Sequence, residues 1–364
     1  MKTLTVTYHH TTNYGAVLQA YALQQTIMSL GHENLILETS ISKKKKRRFS
    51  LKELYLFIIS KLRADEFSRL KQHFVDFHTN RLYLTKAFTS MEDLRNNCPD
   101  VDCLITGSDQ VWKFSTNPKF LDSRLLDFGP QNAIRFSYAA SMEELKYSDA
   151  QKQKLKVSLE NYKGISVREE SAKLFIESFT PYKIERLLDP VFLLPKEKWI
   201  EIEKTPRLSG SYILCYQVQS NRRMEEVAYR LRRETGLPIV SICNSPIRWM
   251  RSDFYFHDVS IEEFIGFYHN ASYIVSASFH GVAMGLVFEK PVYAMIKAAR
   301  ANRIKEVMRL FGLDDFIISE GETRAFKSYK EDDYVRLREI KGLMLSKSLG
   351  FINKMLSNER DFTR

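Results

Sequence analysis

Cysteine is scarce in this chain. There are four, Cys98, Cys103, Cys215 and Cys243, and only the first two lie close in sequence. That excludes a disulfide-stapled miniprotein and offers no Cys/His spacing typical of a metal site. Glycine (14) and proline (10) are too few for a collagen-like repeat or a low-complexity linker. Long hydrophobic runs are missing too. The longest, Leu54 to Ile59, falls far short of the roughly 20 residues that cross a bilayer. The start, Met1-Lys2-Thr3-Leu4, carries neither an apolar stretch nor a small-residue cleavage site. The expectation is a cytoplasmic protein with reduced, mostly buried thiols. The signatures G-x-x-x-x-G-K-[ST], G-x-G-x-x-G, H-E-x-x-H and G-x-S-x-G are also absent.

What is present is globular: 44% hydrophobic and 27% charged residues over 364 positions, enough for about two domains. The net charge is +11, which points to an anionic partner. Six of the 55 basic residues form one run, Lys43–Arg48, and the others are interleaved with acids. This is unlike a nucleic-acid-binding stripe, so no nucleic acid is expected. The basic run with Leu54–Ile59 reads as a surface for anionic membrane or a lipid-phosphate acceptor, or else as a solvated loop followed by a core helix.

Strand and helix patterns alternate along the chain. Leu4–His9 reads as a strand, Ala16, Ala20, Leu23, Ile27 and Leu30 as a helical stripe stopped by Gly31, and Asn34–Glu38 as a second strand. Further strands are expected at 101–106, 135–140 and 164–168. A second series starts at Tyr212–Tyr216 and continues through 239–242, 273–276 and 291–295, with helices between. The expected fold is α/β, two Rossmann-like doubly wound domains facing a cleft: residues 1–200, residues 201–325, and a helical tail over 326–364. Ligands of such sheets sit beyond the carboxyl ends of the strands, so residues there are the candidates.

Ser276-Ala277-Ser278-Phe279-His280-Gly281 runs from strand to helix. Free N–H groups at the helix start bind anions, and His280 can donate a proton near neutral pH, or can simply cap the helix. Arg300 and Arg303 follow the strand 291–295 and suit carboxylate or phosphate, or lie in an ordinary solvated loop. Arg168 follows another strand and reads as a cleft-facing cation or as the partner of Glu169 or Glu170. In Gly107-Ser108-Asp109-Gln110-Val111-Trp112, Asp109 suits a general base or a helix N-cap, and Trp112 offers an apolar platform for a sugar ring. Asn13-Tyr14-Gly15, at the first strand–helix junction, is a candidate for holding an acceptor.

Taken together, Asn13–Ala16, Leu18–Gln24, Gly107–Trp112, Tyr138–Ser141, Ser166–Glu169, Asp189-Pro190 and Ser278–Gly281 resemble the polysaccharide pyruvyl transferase family, in the family's order over about residues 8–303. The resemblance implies a GT-B-like fold, with the first domain on the acceptor side and the second on the donor side. It implies transfer of the pyruvyl group of phosphoenolpyruvate to a sugar of a surface or capsular polysaccharide precursor, giving a cyclic pyruvate ketal and phosphate. No cofactor or metal is implied. The family's donor-binding histidine corresponds to His280 and its mid-chain arginine to Arg168, and a later basic residue of some members corresponds to Arg300. Some members carry arginine where this chain has Ser278. Donor binding would then fall to Arg168, Ser278, Gly281, Arg300 and Arg303, with His280 the acid and Asp109 the base. Asn13, Tyr14, Gly15 and Trp112 would serve the acceptor, free or lipid-linked. The enzyme would be cytoplasmic, or peripheral at the inner face of the membrane. The rival readings are a GT-B glycosyltransferase using a nucleotide sugar and a non-catalytic basic binding protein.

Overall fold

The computed structural model describes residues 1–10, 12–39, 63–114, 118–142, 145–218, 221–244, 248, 250–297, 302–319 and 327–357. Its described residues fall into two units: those of Met1–Lys43, Arg81–Leu194 and Gly342–Arg364, and those of Lys44–Asn80 and Pro195–Lys341. The basic run Lys43–Arg48, the apolar run Leu54–Ile59 and Arg300 lie outside the described residues.

In the first unit, β1 (Lys2–Val6), β2 (Glu33–Ile36), β3 (Cys103–Thr106) and β4 (Ile134–Ser137) form a parallel sheet in the order β2-β1-β3-β4. The pair β5 (Ile165–Val167) and β6 (Ile184–Arg186) is attached to it through single bridges at Phe136–Gly164 and Ala140–Val167. Parallel neighbours need crossovers, and the helix Tyr14–Ser29 makes the first of them. It is buried on nearly every side rather than along one stripe. Its two inward glutamines are therefore hydrogen-bonded: Gln19 Nε2 donates to Thr7 Oγ1 (2.8 Å), and Gln24 Nε2 to the carbonyls of Asn34 (3.0 Å) and Tyr83 (2.9 Å). Gly31 ends this helix in the left-handed region, at φ +85°.

The second unit holds one six-stranded sheet, every pair parallel, in the order β12-β11-β10-β7-β8-β9. Its strands are β7 (Ile213–Gln217), β8 (Ile239–Cys243), β9 (Phe254–Phe256), β10 (Tyr273–Ser276), β11 (Val292–Ile296) and β12 (Ile317–Ser319). The central strands β7, β8 and β11 are buried at every position, as expected of a sheet covered on both faces. The strands β6, β9 and β12 are three residues each, too short for a periodicity to be read from sequence.

The units are not consecutive stretches of chain. The helix Ala64–Arg81 counts with the second unit up to Asn80. Leu70, Phe74 and Phe77 are its buried stripe, and it is held by an Arg69–Asp258 ion pair (2.7 Å) and an Arg63–His257 contact. The helix Glu331–Leu356 is divided between the units at Lys341/Gly342. Its last turns, with Ile352, Met355 and Leu356, pack on Phe136 and Tyr138 of the first unit. Lys163 Nζ donates there to the carbonyls of Lys354 (3.2 Å), Met355 (3.4 Å) and Ser357 (3.3 Å), a cation at the negative end of a helix. All four cysteines are free thiols, and three are buried. No helix among the described residues is long and apolar enough to cross a membrane.

Candidate active site

Each sheet has a point where chain order reverses: between β1 and β3 in the first unit, and between β7 and β10 in the second. Crevices outside the carboxyl ends of such strands are where open α/β sheets hold ligands.

In the second unit, β10 ends at Ser276 and the chain turns into the helix Phe279–Val287. Ser278 is the N-cap: its backbone is extended, and its Oγ accepts from Gly281 N at 3.4 Å. The expected helix start at Gly281, with His280 as cap, is therefore corrected. Ser278 out-competes the histidine because its short hydroxyl reaches the third N–H. His280 stands instead in the first turn, 6% exposed, with its ring edge-on to Phe279 at 5.1 Å. Gly281 has a packing role. A Cβ there would meet Ser276 Oγ at 2.2 Å, Tyr216 Cδ1 at 2.7 Å and Tyr268 Oη at 3.0 Å. Only glycine lets this helix approach the strand ends so closely. Burial pushes the Tyr216 and Tyr268 hydroxyls well up, so both stay protonated.

Across the reversal point, β7 ends at Gln217, one residue past the Tyr216–Ser276 pair. Gln217 is 1% exposed, and both atoms of its amide lack a hydrogen-bond partner among the described residues. Asn221 caps the next helix, Arg222–Thr235, through Oδ1 (3.3 Å to Met224 N), but its buried Nδ2 has no partner among the described residues. Buried amides left unmatched are uncommon, and their bonding is completed by water, an ion or a polar ligand, or the mismatch is held as strain. Sequence reading passed over both. The signal was there, an amide between an apolar strand and a helix, the pattern that drew attention to Asn13. Arg303 lies half-buried in the helix Asn302–Leu310.

In the first unit, the carboxyl ends of β3, β4 and β5 run side by side through the bridges Asp109–Ala140 and Ala140–Val167. They bring four sequence motifs into one buried cluster. Arg168 donates from Nε to Glu169 Oε1 (2.8 Å), from one terminal nitrogen to Asp189 Oδ2 (2.6 Å) and from the other to Ser141 Oγ (3.0 Å). Ser108 Oγ contacts Ala139 O (2.8 Å) and Asp189 Oδ2 (3.3 Å). The side chains of Arg168 and Glu169 are 3% exposed and that of Asp189 is 0% exposed. Burial opposes the Arg168 charge, but Glu169, Asp189 and Asp109 outweigh it and raise its pKa. Of the two readings open for Arg168, the structure shows the pairing with Glu169, and its guanidinium is engaged by the chain's own carboxylates and Ser141.

Asp109 is partly exposed beside this cluster and holds φ +67°, while Ala139 holds φ +49°. Two non-glycine residues in the left-handed region, at neighbouring strand ends, are strain of the kind that gathers at functional sites. No helix begins at Asp109, so it caps none; its carbonyl instead accepts from Val111 N (2.7 Å) and Ser141 N (2.9 Å). Trp112 is fully buried among Val111, Leu121, Leu125 and Val167. The expected sugar platform is therefore corrected to a core residue, because the indole has no free face. Asn13 is the exposed N-cap of the helix Tyr14–Ser29, and Tyr14 and Gly15 are buried behind it.

The fold has known counterparts. The UDP-GlcNAc 2-epimerase of Methanocaldococcus jannaschii is 11% identical, with 98% of this chain and 99% of that one covered at a TM-score of 0.50. The Neisseria meningitidis UDP-GlcNAc 2-epimerase, solved bound to UDP-GlcNAc, is 12% identical over 98% and 99% at 0.49. The E. coli ADP-heptose LPS heptosyltransferase II is 10% identical over 95% and 99% at 0.40. At such identities the likeness is one of fold, a GT-B-like pair of Rossmann-like units. None of the curated proteins matches the chain in sequence. The model of one family does match, over residues 13–296, a span that takes in the Asn13 cap, the Arg168 cluster and the His280 turn. This chain belongs to the polysaccharide pyruvyl transferase family.

Proposed function

We propose that the protein transfers the pyruvyl group of phosphoenolpyruvate to a sugar of a polysaccharide precursor, forming a cyclic ketal and releasing phosphate. The observation that carries this reading is the family match over residues 13–296. The chemistry needs a proton on the methylene carbon, attack of a sugar hydroxyl on C2, departure of phosphate and closure by a second hydroxyl. His280, in the first turn of the Phe279–Val287 helix, is the proposed acid. The positive end of that helix, the Ser278 hydroxyl, and the Gln217 amide and Asn221 Nδ2, which have no partner among the described residues, suit the phosphate and carboxylate of the donor. Arg303 and Arg300 stay proposed as further cations for it. On the first unit, Asp109 is the proposed base that accepts a hydroxyl proton. Arg168 acts as a positioning residue behind it, and Asn13 is the proposed acceptor contact.

The test is incubation with phosphoenolpyruvate and a panel of soluble and lipid-linked sugars, following phosphate release and the mass of the product. Competition by nucleoside diphosphates with no response to phosphoenolpyruvate would overturn the donor and favour a nucleotide-sugar transferase. In the same assay His280→Ala should lose about 10²-fold or more of the turnover with its unfolding midpoint nearly unchanged. Turnover close to the parent's, or a loss matched by unfolding, would remove His280 from the chemistry.

A further inference from the structure

Three strong donor groups converge in the first unit where none was expected from residue spacing. His9 and His10 follow β1 and Glu38 follows β2, which places them at the carboxyl ends of strands beside the reversal point between β1 and β3. His9 Nε2 lies 3.0 Å from Glu38 Oε2, His10 Nδ1 3.3 Å from His9 Nε2, and His10 Nδ1 3.6 Å from Glu38 Oε1. Among the described residues this is the one group of three His, Cys, Asp or Glu side chains close enough to share an ion. Its members lie far apart or directly adjacent in sequence, so no spacing motif announces it.

The geometry points to a site for a divalent first-row metal, with zinc the best match, held by His9 Nε2, His10 Nδ1 and a Glu38 carboxylate oxygen. A four-coordinate ion with bonds of about 2.0–2.1 Å sets its donors roughly 3.3 Å apart; the two imidazole nitrogens lie at that distance, each approaches a different oxygen of the Glu38 carboxylate, and one ligand atom from each of the three residues lies within 4.8 Å of the others. Two imidazoles and one carboxylate suit zinc better than magnesium or calcium, which prefer oxygen alone. The surroundings already orient the ligands. His9 Nδ1 lies 3.2 Å from the Thr7 carbonyl and donates to it, leaving Nε2 with its lone pair toward Glu38. Gln19 Nε2 in turn holds Thr7 Oγ1 (2.8 Å) and the Tyr8 carbonyl (3.0 Å). The backbone of Glu38 is fixed by Thr85 Oγ1, which accepts from its N–H at 3.0 Å, and by Phe88 N, which donates to its carbonyl at 3.0 Å. His9 is fully buried, while His10 and Glu38 are each 22% exposed on the side chain, which provides an entry path. Three protein ligands leave a fourth position for water or a ligand oxygen.

The competing account is a protonated His9 paired with Glu38, which needs no metal. Tag-free full-length protein, stripped with chelator and titrated with zinc chloride by calorimetry, separates the two. The expected result is one zinc per chain, and a visible cobalt(II) spectrum of tetrahedral type when cobalt replaces it. His10→Ala and Glu38→Gln, both at partly exposed positions, should weaken binding at least tenfold, since even outer partners of metal ligands cost 10–100-fold. His32→Ala should not change it, although His32 with the Met1 amine (3.1 Å) is a second nitrogen pair on the same unit. No stoichiometric uptake by the parent, or uptake equal in parent, His10→Ala and Glu38→Gln, would overturn the site and leave the ion pair as the account. Phosphoenolpyruvate turnover does not enter this test, so the site stands or falls apart from the proposed reaction.

Discussion

Replacing Arg168 by methionine should destabilise the first unit far more than its lost contacts suggest. The guanidinium is held by Glu169, Asp189 and Ser141, and the two carboxylate side chains are 3% and 0% exposed. Methionine fills much of the volume but leaves both carboxylates buried near each other without a counter-charge. Breaking a buried pair from one side costs about 3–5 kcal/mol. For a unit of this size that is a fall in unfolding temperature on the order of 10 °C. Neutralising the rest, as Arg168→Met/Glu169→Gln/Asp189→Asn, should recover most of the loss. In Asp189→Asn the new amide oxygen can still accept from Val191 N, as Asp189 Oδ1 does at 3.1 Å, and Ser108 can accept from the new amide nitrogen. Calorimetric unfolding of parent, single and triple variants measures this. A single variant that loses less than about 1 kcal/mol, yet binds phosphoenolpyruvate much more weakly, would refute the positioning role and return Arg168 to the donor site.

Two further outcomes follow from the second unit. Gly281→Ala should lower stability by about 1–3 kcal/mol in denaturant unfolding, because the new methyl group meets Ser276, Tyr216 and Tyr268; unchanged or raised stability would show that Ser276 swings aside and that helix propensity wins. Asp258 is pulled below the usual carboxylate range: burial raises its pKa, but Arg69 and Arg207 outweigh it. Its contribution is thus present above about pH 4 and lost as pH falls through the depressed folded value, so the drop in unfolding temperature on acidification should be shallower in Asp258→Asn than in the parent, and equal slopes would contradict the clamp on the helix Ala64–Arg81.

Much of this molecule was legible in the residues alone. Long parallel strands such as Ile213–Gln217 and Val292–Ile296 announce themselves because both faces are buried, and the helix stop at Gly31 falls where a left-handed residue is needed. The motifs around Ser108, Ser141, Arg168 and Asp189 were also visible, as separate fragments with local meanings. What the tertiary structure decided is which of these meanings holds. Arg168 and Trp112 look like ligand contacts along the chain, yet one is paired inside a carboxylate cluster and the other is in the core, because exposure depends on packing from distant elements. The helix Ala64–Arg81 and the end of Glu331–Leu356 join units remote in sequence, guided by apolar stripes that carry no address of their own. Gln217 becomes notable only once its amide is seen to be buried with no partner among the described residues, and His9, His10 and Glu38 become a cluster only when β1 and β2 pair in parallel register. Local pattern fixes strands and helices through short-range sterics and hydrogen bonding, whereas the sites arise from side chains on different strands whose closeness is set by the order of those strands in the sheet.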